Sequence, residues 1–302
     1  MRGHFSRTGS LALAIAFAAG LAASASGASN LTATSSKAGS SLSLNGAKVY
    51  STPGTISRHR LIPMTGSTKV VAVWEETVKG ATTSYFAISL DGKKFDQVQA
   101  SDNTIKLVYA SFDPLVSVPK VPARLQAGAG NELFIVQFVA TPLDEMRGDI
   151  AGLGGTVEGY LPENAQLVRM NGATRALVAK LPYVRWVGAY EPAYRLTSEL
   201  RATILGGGAD AAAQRYSIGC LRSGPAQQNA VADMIRAMGG IVEGTSPDMF
   251  RMEATLTPAQ LLAVANRNEV GAIDAWGGPG GHDMDIARQI GGAVPILSGV
   301  GF

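Results

Sequence analysis

At 302 residues, with 46% hydrophobic and 16% charged side chains, the chain has the composition of a globular protein of about two domains, or of more if the units are small. The 26 basic residues stand against 23 acidic ones, and the local basic clusters are only Arg58-His59-Arg60 and Lys93-Lys94, too sparse for a nucleic-acid or membrane-surface role. A single cysteine, Cys220, excludes an internal disulfide and with it a small stapled scaffold.

Residues 1–28 have a secretory layout: Arg2 and Arg7, an apolar run over 11–23, then the small triplets Ala23-Ser24-Ala25 and Ser26-Gly27-Ala28. Cleavage is expected near Ala25 or Ala28, placing the mature chain outside the cytoplasm, secreted or extracytoplasmic. The run is shorter than the ~20 apolar residues that cross a bilayer, so no transmembrane segment is expected. From Ser29 to about Ala47, Ser, Thr, Gly and Ala dominate and offer little apolar surface to offset ordering entropy, so residues 29–60 are expected to form a disordered linker.

Residues 61–125 read as a small β-rich segment. Val70-Val71-Ala72-Val73-Trp74, residues 84–90 and residues 104–109 have strand character, and Asp91-Gly92 closes the second run in a tight turn, which predicts an antiparallel meander. Ser89-Leu90-Asp91-Gly92-Lys93-Lys94-Phe95 is similar to one Asp-box turn of sialidase-like propellers with altered spacing, and a plain hairpin accounts for it. Phe112-Asp113-Pro114, Pro119 and Pro122 then interrupt regular structure, placing a domain boundary between 112 and 130.

An internal repeat organises the rest. Gly154-Gly155-Thr156-Val157-Glu158-Gly159 recurs 85 positions later as Gly239-Gly240-Ile241-Val242-Glu243-Gly244. Leu167-Val168-Arg169-Met170 matches Met249-Phe250-Arg251-Met252, and residues 176–187 match 262–273. Each copy predicts a strand (133–139; 216–221), a helix (143–153; 227–238) stopped by the Gly-Gly pair, and a short strand. A turn with Pro162 or Pro247 follows, then a strand centred on Leu167 or Met249, a second helix (174–181; 258–266) and a last strand (184–190; 270–276). The order is β-α-β-β-α-β, so the expected fold class is α+β: two tandem ferredoxin-like modules, 130–197 and 212–277, after the β meander and before a Gly-rich tail over 278–302. At roughly 65 residues, each module is marginal alone, and its exposed sheet face is the natural place for a partner.

Chemistry-bearing patterns are sparse. Cys220 lies in an apolar strand without an adjacent His and reads as structural. Glu158 and Glu243 occupy matching turn-adjacent positions in separate modules and also read as structural. Gly206-Gly207-Gly208 lacks the Lys and flanking strand of a phosphate loop. His282-Asp283-Met284-Asp285 makes a poor metal site on a Gly-rich linker. No cofactor and no metal are expected.

The first module, with Phe134-Ile135-Val136-Gln137-Phe138, Leu161-Pro162-Glu163-Asn164-Ala165, Leu167-Val168-Arg169 and Leu181-Pro182-Tyr183-Val184-Arg185-Trp186-Val187-Gly188, resembles the N-terminal prodomain region of bacterial secreted subtilisin-family (subtilase) serine proteases. Trp74-Glu75-Glu76, Ala87-Ile88-Ser89-Leu90-Asp91-Gly92 and Phe112-Asp113-Pro114-Leu115 resemble the segment that precedes it in larger members. The resemblance runs from about Val70 to Phe302 as an ordered series of motifs. It implies an intramolecular chaperone and inhibitor whose partner is a subtilisin-like catalytic domain, in cis or in trans. It further implies that Ile273, Asp274, Ala275, Trp276, Gly277 and Gly278 lead a tail into the protease cleft, and that residues 283–292 lead toward a catalytic domain. The family's Asp, His-Gly and Gly-Thr-Ser-Met-Ala motifs do not occur: Gly244-Thr245-Ser246 is followed by Pro247-Asp248. No competent active site is therefore expected in this chain. A stand-alone secreted inhibitor and a cell-surface interaction module remain the alternatives.

Overall fold

A computed structural model of the chain describes residues 29–207, 211–246 and 248–278. Its architecture is mixed α+β, with mostly antiparallel sheets and five α-helices among the described residues. The region expected to be a signal peptide, residues 1–28, lies outside them, as does the tail beyond Gly278.

The expectation of a disordered linker over 29–60 is corrected. Strands β1 (Leu31–Ser36), β2 (Gly39–Leu44) and β3 (Ala47–Thr52) form an antiparallel sheet. Strands β4 (Thr55–Pro63), β5 (Val70–Val78), β6 (Ala81–Ser89) and β7 (Gln97–Ala100) form a four-stranded meander. The physical reason is period, which composition hides. In β2 every second residue, Ser40, Leu42 and Leu44, points inward and is buried, while Gly39, Ser41 and Ser43 are half-buried. Leu31, Leu42 and Ile56 pack on Ala72, Trp74 and Ala87, so the two sheets share one core. Trp74 stacks on Tyr85 and Phe95, with ring centroids 5.6 and 6.0 Å away, and Tyr50 tilts against it at 5.0 Å.

Residues 104–109 are not a strand of the meander, whose fourth strand is β7. Only β8 (Ile105–Lys106) is extended, paired with β9 (Ser111–Phe112) in a ribbon that leads to a 3-10 turn at Ala123–Leu125. Nor does the proline-rich stretch divide domains. Ile105, Phe112 and Leu125 join one apolar cluster with Leu133, Ile135, Ala165 and Leu167. Proline forbids a regular ladder, but it does not prevent packing.

The first module consists of β10 (Leu133–Phe138), α1 (Asp144–Gly152), β11 (Thr156–Leu161), β12 (Ala165–Arg169), α2 (Gly172–Val178) and β13 (Val184–Ala189), with sheet order β11-β12-β10-β13. All six residues of β10 are buried because both of its faces are covered. Phe134, Val136 and Phe138 meet Met146 and Ile150 of α1 together with Ile62, Val71 and Phe86 of the N-terminal unit. Leu133 and Ile135 meet the 101–126 segment. A 3-10 turn (Pro192–Arg195) and α3 (Ser198–Gly206), neither of them expected, lead on to the second module. That module comprises β14 (Gln214–Cys220), α4 (Pro225–Ala237), β15 (Ile241–Thr245), β16 (Arg251–Leu256), α5 (Pro258–Ala265) and β17 (Val270–Ala275), in the order β15-β16-β14-β17.

The Gly-Gly pairs do the same work in both copies. Gly154 and Gly239 take φ of +90° and +77° as their helices end. Behind them, a Cβ on Gly155 or Gly240 would stand 2.7 or 2.9 Å from Ile150 or Ile235. Helix α5 starts with Pro258 behind a capping box in which Thr257 and Gln260 exchange main-chain and side-chain hydrogen bonds.

The register corrects one part of the repeat. Arg169 lies opposite Thr156, and Thr255 lies opposite Ile241, so Leu167 corresponds to Glu253 and Ala165 to Arg251. Met249 is not the centre of a strand but sits in the turn before β16. The connection 246–250 is two residues longer than its counterpart 162–164 between β11 and β12.

Candidate functional site

The sheet face away from the helices distinguishes the two copies. In the first, Leu133, Ile135 and Gln137 of β10, Ala165 and Leu167 of β12, and Leu161 of β11 face the 101–126 segment. Gln137 donates to Asn103 O (2.8 Å) and accepts from Arg185 (2.7 Å), while Arg185 forks onto both carboxylate oxygens of Asp113 at 2.8 and 2.9 Å. Burial raises the Asp113 carboxyl, but the Arg185 fork and the Leu115 N–H outweigh it and leave the group below the usual carboxylate range. The turn at Pro162–Glu163 adds main-chain bonds: Lys106 N–H donates to Pro162 O (2.7 Å), and Glu163 N–H to Thr104 O (3.1 Å). The expectation of an exposed sheet face is therefore corrected for this copy, which the chain itself occupies.

In the second copy the same positions carry Arg215, Ser217 and Gly219 on β14, Arg251 and Glu253 on β16, and Ser246 after β15. Arg215 pairs with Glu253 at 2.5 Å. Thr255 donates to Glu243 at 2.6 Å. Ser217 is buried between β16 and β17, yet its hydroxyl has no hydrogen-bond partner among the described residues. Beside this face the turn after β15 presents Met249 and Phe250, 62% and 56% exposed. The fully buried Gln228 tethers Ser246 and Met249, donating to Ser246 O (2.8 Å) and Met249 O (2.7 Å) and accepting the Ser246 N–H (2.9 Å).

Of the six tail residues, Ile273, Asp274 and Ala275 belong to β17 and pair with Ile218, Ser217 and Tyr216. Ile273 is buried and also bridges to Leu196 on its other side. Trp276 donates its N–H to Arg215 O (3.2 Å), and the Arg215 guanidinium stands 4.1 Å from its ring centroid. Only from Trp276 through Gly277 and Gly278 does the chain leave the sheet, and it leaves beside the polar face.

Cys220 ends β14 buried, with burial raising its thiol to about 11, the reverse of an activated nucleophile. Glu158 links the modules: its side chain is 1% exposed and accepts from Arg169 Nε (2.8 Å) and Arg222 Nε (2.8 Å). Arg169 also reaches Asn268 O at 2.6 Å, and Arg195, 2% exposed, spans Tyr190 O and Arg267 O. Ser246 is fixed through its main chain by Gln228, and His59 stands on β4 of a different unit. His4, Pro247 and residues 282–285 lie outside the described residues. Among the described residues no cluster of three His, Cys, Asp or Glu could hold a metal ion, and no helix is long and apolar enough to cross a membrane.

Sequence reasoning missed the 101–126 strap, Gln228 and the Met249-Phe250 tip. A signal for the first was present: aligned by register, the copies exchange Leu133, Ile135 and Leu167 for Arg215, Ser217 and Glu253.

A profile of a domain family of unknown function (DUF8729) matches residues 91–191. That stretch holds β7 through β13, so the strap and the first module fall within one matched unit. No curated protein and no solved structure matches the chain.

Proposed function

We propose that the chain is an exported docking and inhibitory unit of the subtilase-prodomain type, built from two tandem ferredoxin-like modules of which the second engages the partner. The observation that carries this reading is the asymmetry between the copies. One sheet face is filled from within, while the other stays open, polar and flanked by the exposed Met249 and Phe250, and the chain leaves its sheet there at Trp276. The strand orders β11-β12-β10-β13 and β15-β16-β14-β17, each with two helices, support the ferredoxin-like assignment. A folded protease whose surface complements Arg215, Arg251 and Glu253 would gain stability by mass action on binding, and the segment from Trp276 onward would reach its cleft as an extended strand. Residues 273–275 take no part in that strand, since they belong to β17.

Titrating the purified chain against a subtilisin-type protease tests the reading. Saturable inhibition is expected, with loss of at least tenfold in affinity on truncation after Ala275, and no hydrolysis of casein by the chain itself. Inhibition that survives both that truncation and Glu253→Arg, or casein hydrolysis abolished by Ser246→Ala, would overturn it.

A further inference from the structure

A groove of about 240 Å³ runs between the N-terminal meander and the first module, far in sequence from the polar face of the second. Its walls carry Arg58 and Arg60 of β4, Arg185 of β13, Ser84 of β6, and the apolar Val73 and Val139. The carboxylate on the lining, Glu75, pairs with Arg58, while Arg185 is held by Asp113.

The backbone of β4 is shaped at this point. Between Ser57 and Arg60 the pairing with β5 slips by one residue, and Arg58 takes φ of +49°. Bulges of this kind redirect side chains, and a left-handed non-glycine residue is uncommon, with Gly or Asn holding that conformation at less cost. Arg58 is 80% exposed and among the described residues pairs only with Glu75 at 3.0 Å, a surface contact of little strength that an oxyanion could displace. Arg60 spends one N–H on Pro182 O (3.0 Å) of the first module, which ties the two walls together. Arg185 is fixed by Asp113 and Gln137, so it lends a rigid edge to the groove.

We infer that this groove binds a phosphate-type oxyanion, with Arg58 and Arg60 as the forked donors, Ser84 as a hydroxyl donor, and Val73 and Val139 accepting an apolar substituent. Asp113 already neutralises Arg185, so the free charge of the groove is that of Arg60, joined by Arg58 once Glu75 is displaced, and two guanidinium forks suit oxyanion geometry.

Isothermal titration calorimetry on the full chain tests it, with sodium phosphate as the probe and sodium succinate and sodium chloride at matched ionic strength as the other arms. Saturable heat with phosphate is expected, and Arg58→Ala/Arg60→Ala should weaken it about tenfold or more. Both side chains are exposed on β4, and the unchanged melting temperature of the double variant in chloride would show that it is folded. Phosphate heat that is absent, that chloride reproduces, or that persists in the folded double variant overturns the proposal. Binding of succinate without phosphate overturns it too, by reassigning the groove to dicarboxylates.

Discussion

Glu158 shows how one side chain fastens two modules. Its carboxylate is shielded from solvent, and burial alone would raise its pKa. The hydrogen bonds from Arg222 and Arg169 outweigh that effect and hold the group below the ordinary glutamate value of 4.5. A depressed folded pKa contributes stability that is complete above the unfolded value and is lost as pH falls through the folded one. Glu158→Gln should therefore cost about 1–3 kcal/mol at pH 7, with the gap to the parent closing as pH falls below the ordinary glutamate value in paired thermal melts. A gap that stays constant across that range would remove the ion-pair explanation. At the Gly-Gly pairs the effect is steric. Gly155→Ala drives a methyl into Ile150 and should destabilise by about 1–3 kcal/mol in urea titrations. Gly154 is chosen for its φ, Gly155 for its lack of volume.

Among the elements, β2 is the sharpest test of how the N-terminal unit holds together. Leu42 is fully buried under Trp74, so Leu42→Ala should cost about 2–5 kcal/mol, read as a shift of the denaturation midpoint. A disordered linker would give no shift. The helices of both modules, and their strands apart from the one misplaced onto Met249, were legible because their periodicities and stop signals agree locally: Gly-Gly after α1 and α4, Pro258 opening α5. The strands of 31–52 were not, since Ser and Thr conceal alternation in a polar-looking composition. The strap was hidden for a different reason: its worth lies in long-range contacts of Ile105, Phe112 and Leu125, which no local period announces. Tail residues 273–275 looked free because a glycine-rich run follows them, yet pairing with β14 had already placed them in a sheet. The polar face could be read only after the register had aligned the copies.

For the whole molecule, cohesion comes from a cluster that ignores module boundaries. Leu125 and Leu133, Tyr190 and Tyr194, Leu196 and Leu200 of the connection, and Tyr216 and Ile218 of the second module are continuous. Calorimetry should therefore show the two modules unfolding in one transition. Residues 211–278 expressed alone, deprived of Leu196, Leu200 and Ile204, should be markedly less stable by circular dichroism, and an isolated piece as stable as the full chain would refute this coupling.

The difference between the two sheets has a consequence for exchange. With a greased underside on the first unit and a wetted underside on the second, neither can stand in for the other. Swapping their places along the chain would strand a patch of leucines in water and set arginines against Phe112. The order of the two halves along the chain is thus fixed, and substitutions tolerated in either half are set by the neighbour it has.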